Sequence, residues 1–210
     1  MTLLEKVDHL IFAVPDLEEG RDKIERLLGV RPIPGGRHPE FGTHNAQLSL
    51  GPTTYLEVLA PDPNADVPAE DVLFGLDSYQ EPRLTTWVLH TEEIEKLAAS
   101  AKATGFDLGA VGSGQRVKPD GTVVSWKFTN PSAMLLNGAV PFLISWGDTP
   151  HPAGAAPRAG ELIGLRIEHP EPERVRQALL ALGLEMDVQA GPQFQLIATI
   201  KTSQGDVEVR

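Results

Sequence analysis

Two cations, Arg116 and Lys127, flank the turn Pro119-Asp120-Gly121 in a chain whose formal net charge is −11. A guanidinium grips a carboxylate or phosphate through two parallel hydrogen bonds. A basic group facing a cleft in so acidic a protein would therefore select an anionic ligand. Arg37 and His38 add positive character from a loop rich in Gly and Pro, and Asn45 can present its amide to a ligand carbonyl. Trp126, Phe142 and Trp146 alternate with polar neighbours and read as apolar walls or as core. Six histidines are present and no cysteine, which excludes disulfides, a thiol nucleophile and a cysteine zinc site. No Ser-His-Asp nucleophile motif, phosphate loop or dinucleotide fingerprint occurs. His90 and His169 stand at strand ends beside helix starts and read as capping or surface residues. His151, in a Pro-flanked segment, reads as a loop residue or as a cover for a cleft mouth.

A phrase that occurs three times must position these residues. A short apolar strand runs into an amphipathic helix, and the helix stops at a glycine: Gly29, Gly105 and Gly183, almost evenly spaced. Such a repeat points to a domain assembled from copies of one unit. In the first copy, 7–14 is a strand of apolar and β-forming residues. Asp16 can cap the helix that follows, Leu17, Ile24, Leu27 and Leu28 share one face, and Gly29 supplies the left-handed cap. Short strands follow at 30–33, 44–50 and 53–59, giving the order β-α-β-β-β. The second copy runs from 84 through a helix closed by Gly105 to strands ending near Trp146. Between them 61–82 is a Pro-rich crossover, long enough to lie over a pocket. A third, shorter copy begins at 162.

The expected architecture is α+β, with βαβββ units forming curved mixed sheets around a cleft. The expected organisation is a domain over 1–152 made of units 1–61 and 84–148 joined by linker 62–83, followed by a third unit over 160–210. Ordinary hydrophobic and charged contents, 41% and 22%, fit a globular chain. The negative charge disfavours nucleic acid. No apolar run is long enough to span a bilayer, and the opening MTLLEKVDHLIFAVPDLEEG lacks a basic n-region. A cytoplasmic location without a membrane partner is expected, and so is a homodimer in which the unmatched third unit meets its twin.

The βαβββ order and Asp8-His9, Pro15-Asp16-Leu17, Gly35-Gly36-Arg37-His38-Pro39, Gly42-Thr43-His44-Asn45, Tyr55-Leu56-Glu57, Arg116 with Pro119-Asp120-Gly121, and 141–146 carry a resemblance. Over positions 7–152 the chain resembles the glyoxalase-like domain family of the vicinal oxygen chelate superfamily, whose members isomerise, oxygenate, open epoxides or only bind a ligand. The resemblance implies paired units around a cleft, with metal ligands taken from the first and last strands of each unit. In the first unit those positions hold His9 and Glu57. His44 would complete a two-His, one-carboxylate set of the iron type, although a one-residue register slip turns either His44 or Glu57 away. The implied cofactor is one divalent Zn, Ni, Fe or Mn ion. The second unit offers Thr85 or Thr86 and Leu143 or Ile144 at the matching places, so half of the inherited four-ligand site is missing. The third offers Ile163 or Gly164, with Glu208 matching Glu57.

Under this resemblance Glu57 or His9 is the general base, taking a proton beside a carbonyl. A metal or Arg116 would hold the developing oxyanion. Arg116, His38, Asn45, Lys127 and Trp146 are the expected ligand-binding set. The expected function is that of a lyase or isomerase acting on a small polar or anionic carbonyl compound. The alternatives are a metal-free sequestering protein of the bleomycin-resistance type and a non-catalytic oligomerisation module.

Overall fold

A computed structural model describes residues 2–117 and 123–210, with the side chains of 116, 117 and 123 outside that description. The turn Pro119-Asp120-Gly121 therefore lies outside the described residues. The first unit comprises α1 (Leu3–Lys6), β1 (Val7–Ala13), α2 (Leu17–Leu28), β2 (Ile33–His38), β3 (Thr43–Ser49) and β4 (Tyr55–Pro61). The second comprises β5 (Arg83–His90), α3 (Ile94–Ala103), β6 (Val111–Val117), β7 (Val123–Thr129) and β8 (Phe142–Ser145). The α2 helix forms where the pattern predicts. Asp16 Oδ1 accepts from Glu19 N–H at 3.0 Å, and Gly29 takes φ 77° as its N–H reaches Glu25 O. A left-handed cap of this kind is cheap only for glycine.

The two units form one eight-stranded sheet in the order β2-β3-β4-β1-β5-β8-β7-β6. Each unit wires itself alike, with β1 parallel to β4 and β5 parallel to β8, and the units meet where β1 and β5 run antiparallel. The fold is thus α+β, with paired βαβββ units curling into a half-barrel around a cavity. Alternation along the strands splits their side chains between two faces. Leu10, Phe12, Leu56, Val58, Trp87 and Leu89 pack outward with Ile24 and Leu28 of α2 and Ile94 of α3. Ile11, Ala13, Leu59, Val88 and Ile144 face inward and are closed over by Val72 and Leu76 of the linker. Burying one large side chain fully is worth about 1.5–3 kcal/mol, so both faces contribute to holding the curl. The linker does lie over the pocket.

The third module comprises β9 (Glu161–His169), α4 (Pro172–Ala181), β10 (Asp187–Ala190), β11 (Gln195–Thr202) and β12 (Gly205–Val209). Its element order is β-α-β-β-β, but its wiring differs. The sheet runs β10-β9-β11-β12, so β9 sits between β10 and β11 instead of beside its module's last strand. Leu196, Ala198 and Ile200 of β11 and Val175 and Leu179 of α4 join the outward core of the first two units. Ser49 and Leu50, at the end of β3, exchange backbone hydrogen bonds of 2.8–3.0 Å with Pro157, Ala159 and Leu162. The third module thus packs part of its apolar surface on the first two units. Among the described residues no helix is long and apolar enough to cross a membrane.

Candidate active site

The cavity, of about 110 Å³, is lined at every second residue of the strands around it. His9 and Ile11 come from β1, Asn45 and Gln47 from β3, and Tyr55, Glu57 and Leu59 from β4. The facing wall is Trp126 and Phe128 of β7 and Phe142 and Ile144 of β8. Polar groups thus lie on the first unit's wall and hydrocarbon on the second's. Phe41, which follows β2, meets Phe128 edge to face at 6.2 Å between centroids. Leu73 and Phe74 of the linker also line it, as do His38, Pro131, Trp146 and Pro152.

His9 is only 4% exposed. Its ring stacks on Tyr55 at 4.5 Å, and its Nδ1 lies 2.7 Å from Asp8 Oδ1. Strict alternation would send Asp8 and His9 to opposite faces. A bulge prevents this: Val7 faces Leu89 and His9 faces Val88, which leaves Asp8 as the extra residue. Bulges re-aim side chains in this way beside sites. Asp8, 0% exposed, also accepts from Trp146 Nε1 at 2.8 Å and from His151 Nε2 at 3.1 Å.

Burial alone would push the Asp8 carboxyl up. Hydrogen bonds from His151, His9 and His90 outweigh it and hold the group well below the usual carboxylate range. An ionised carboxylate only accepts, so the proton on His9 sits at Nδ1 and Nε2 faces the cavity. His151 is fixed likewise, because its Nδ1 accepts from Ala153 N–H at 3.2 Å and its Nε2 donates to Asp8.

Glu57 Oε2 lies 3.6 Å from His9 Nε2. Its other oxygen accepts from Asn45 Nδ2. The Asn45 amide cannot turn round, because its Oδ1 accepts from Gly36 N–H at 2.7 Å. This cradle needs a glycine at 35, where a Cβ would stand 2.3 Å from Asn45 Oδ1.

A model of the glyoxalase-like domain family matches residues 7–183. The chain belongs to that family. A hypothetical protein from Staphylococcus aureus shares the fold of this glyoxalase-like protein, with a TM-score of 0.67, 14% identity and 98% of each chain covered. Methylmalonyl-CoA epimerase from Mycobacterium tuberculosis aligns with a TM-score of 0.43 and 14% identity over 69% of this chain and 89% of that one. A methylmalonyl-CoA epimerase in complex with methylmalonyl-CoA aligns with a TM-score of 0.46 and 19% identity over 70% and 98%. No curated protein matches the chain in sequence.

Of the residues singled out in the sequence, His9, Glu57, Asn45, His38 and Trp146 all line the glyoxalase-like cavity. His38 holds Thr43 Oγ1 at 3.1 Å. His44 does not join them. It is next to Asn45 on β3, and alternation turns it to the other face, across from Arg37 and Ala60. Lys127 is turned out for the same reason, between inward Trp126 and Phe128, and pairs with Glu95 at 2.6 Å. Arg37 is committed to Asp62 through two bonds of 2.6 and 2.7 Å. The backbone of Arg116 pairs with Val124, while its side chain lies outside the described residues.

A divalent ion does not fit the donors present. Among the described residues no three His, Asp or Glu side chains are arranged so that they could hold a metal ion. His9 Nε2 and Glu57 Oε2 are two donors, and the facing wall offers Ile144 and aromatic rings where a second pair would be needed. The Thr85 hydroxyl pairs with Tyr79 at 2.7 Å and that of Thr86 with Gly138 O at 3.0 Å. Glu208 pairs with Arg166 and Arg210.

Sequence reasoning quoted Asp8 only as part of a motif and passed over Gln47, Phe41, Phe74 and Phe128. It read His90 and His169 as capping or surface residues. His169 Nδ1 does accept from Glu171 N–H beside α4, but the residue is 2% exposed. His90 reaches towards Asp8 instead, with Nδ1 3.6 Å from Oδ2. A period-two count from Asn45 along β3 and from Trp126 along β7 would have found Gln47 and Phe128.

Proposed function

We propose that this cavity is an acid–base site that moves a proton at the carbon next to a carbonyl, a reaction of the isomerase or lyase type. The observation that carries the reading is the pairing of His9 Nε2 and Glu57 Oε2 at 3.6 Å in a cavity whose facing wall is apolar, each held from behind by Asp8 or Asn45. One group removes the C–H proton, and the electron pair moves into the carbonyl to give an enolate. The proton taken up by the pair is then returned from the same wall to another carbon of the enolate system, which completes an isomerisation. Gln47 stands directly across from Glu57 on β3 and lines the cavity, so its amide is available to donate to a developing oxyanion. No step in this account needs a metal.

The test needs no knowledge of the natural substrate. Carbonyl compounds are incubated with the protein in D2O, and C–H to C–D exchange is followed by NMR. Exchange with the wild type that falls at least ~100-fold in Glu57→Gln and His9→Asn supports the reading, since general acid–base groups contribute on that scale. A bound carbonyl compound that never exchanges overturns it. That outcome would favour sequestration, the second reading, for which the aromatic lining speaks.

A further inference from the structure

We infer that the ligand of this cavity is a neutral carbonyl compound with a flat apolar body, and that the Glu57 carboxylate is what turns anionic analogues away. The inference rests on the cavity being the functional site. It reverses the anionic ligand expected from Arg116 and Lys127 in the sequence.

Charge comes first. Among the described residues no lysine or arginine lines the cavity. Lys127 faces outward on Glu95, and Arg37 is bound by Asp62. The fixed charges at the polar wall are carboxylates, Glu57 in the lining and Asp8 behind His9. Asp62, beyond them, is kept ionised chiefly by its hydrogen bond from Arg37. A ligand carboxylate or phosphate entering here would leave water, face Glu57, and gain no described cation in return. Buried charge without a partner is strongly disfavoured. A neutral carbonyl meets the opposite situation: an amide donor at Gln47, and His9 and Glu57 ready at its α-carbon.

Shape comes second. Trp126 and Trp146 lie 5.7 Å apart between centroids with a tilt of 50°, and Phe142 meets His9 edge-on at 6.2 Å. Phe41 and Phe128 close on each other from different units. Rings at such angles leave slots that suit the edge or face of another flat group. The linker adds Phe74, whose backbone is held left-handed at φ 60° beside Gly75 at 64°. For a non-glycine residue that conformation costs about 1–2 kcal/mol, and here it accompanies an aromatic side chain placed against the cavity.

Three small probes of one design separate these claims: phenylacetone, phenylpyruvate, in which a carboxylate replaces the methyl group, and acetone, which lacks the ring. Binding is measured by calorimetry on the full chain. Phenylacetone is expected to bind at least about tenfold more tightly than either of the others, about 1.4 kcal/mol. Glu57→Gln should shrink the gap between phenylacetone and phenylpyruvate by raising affinity for the anion. Phe128→Ala should weaken phenylacetone and leave acetone unchanged.

Equal or tighter binding of phenylpyruvate to the wild type overturns the inference. If Arg116→Ala then abolishes that binding, the cation has been identified. Absence of measurable binding by phenylacetone at millimolar concentration also overturns it. A neutral preference without hydrogen exchange leaves this inference standing and removes the acid–base reading, so the two fail separately.

Discussion

His9 Nε2 and Glu57 Oε2 stand 3.6 Å apart although the sheet does not pair their residues. In the β1–β4 register His9 faces Tyr55, and Glu57 faces Ile11. The approach is diagonal, with the imidazole flat on the Tyr55 ring. The distance is short because both side chains are held from behind. Asp8 fixes the imidazole through Nδ1 and Asn45 fixes the carboxylate, which leaves one atom of each to the cavity.

Asp8 is accordingly a positioning residue. In Asp8→Asn an amide with a single acceptor oxygen faces His9, Trp146, His151 and His90, so His9 loses the acceptor that fixes its tautomer. Exchange is expected to fall at least ~100-fold while phenylacetone affinity stays within a few-fold. Unfolding free energy should drop by about 3 kcal/mol, as when one partner of a buried ionic cluster is removed. Denaturant titration and the exchange assay check both. Full activity at unchanged tautomer, read from the 15N shifts of His9, would show that Asp8 only stabilises the fold.

Gly35 supports the same pair at one further remove. A methyl group at position 35 would meet Asn45 Oδ1 at 2.3 Å and displace it from Gly36 N–H. Gly35→Ala is expected to lose exchange activity to the same extent as Asn45→Ala. The strain should cost about 1–3 kcal/mol in stability. An active Gly35→Ala protein would show that the Asn45 orientation is unimportant.

His90, beside Asp8, gives the protein a pH signature. The hydrogen bond that His90 donates to Asp8 raises the His90 pKa against the opposing effect of desolvation, with Glu92, at 2.9 Å, adding to the rise. A folded pKa above the unfolded value of about 6.5 gives stabilisation that is complete below that pH and is lost as pH rises through the folded value. The difference in thermal midpoint between wild type and His90→Gln should therefore be largest near about pH 6 and shrink toward about pH 9. Asp8 acts with the opposite sign. Its depressed pKa gives stability that is present above about pH 3.9 and is lost as pH falls toward the folded value. A His90→Gln difference that grows with pH would rule this scheme out.

Lys127 provides the contrast. Its exposed pair with Glu95 lies on the outer side of β7, and exposed pairs contribute little. Lys127→Ala should leave the unfolding midpoint, phenylacetone binding and phenylpyruvate binding unchanged. Loss of phenylpyruvate affinity in this variant would restore the anionic reading.

Local pattern alone determined a good deal. The strand at 7–14, the cap at Asp16, the left-handed Gly29 and the repetition of the same order after residue 84 are short-range properties, and they suffice for two βαβββ units. They also placed His9 and Glu57 on first and last strands. Tertiary structure decided what those residues meet. Whether Asn45 or His44 faces the cavity depends on register with β2 and β4, and a shift of one residue reverses it. The bulge that brings Asp8 beside His9 exists only against β5, two residues facing one, so no period along β1 announces it. His151 reaches Asp8 across the whole length of both units. The third module repeats the order of elements, yet its first strand pairs differently, because order along a chain does not specify which strand edges are free when the chain returns.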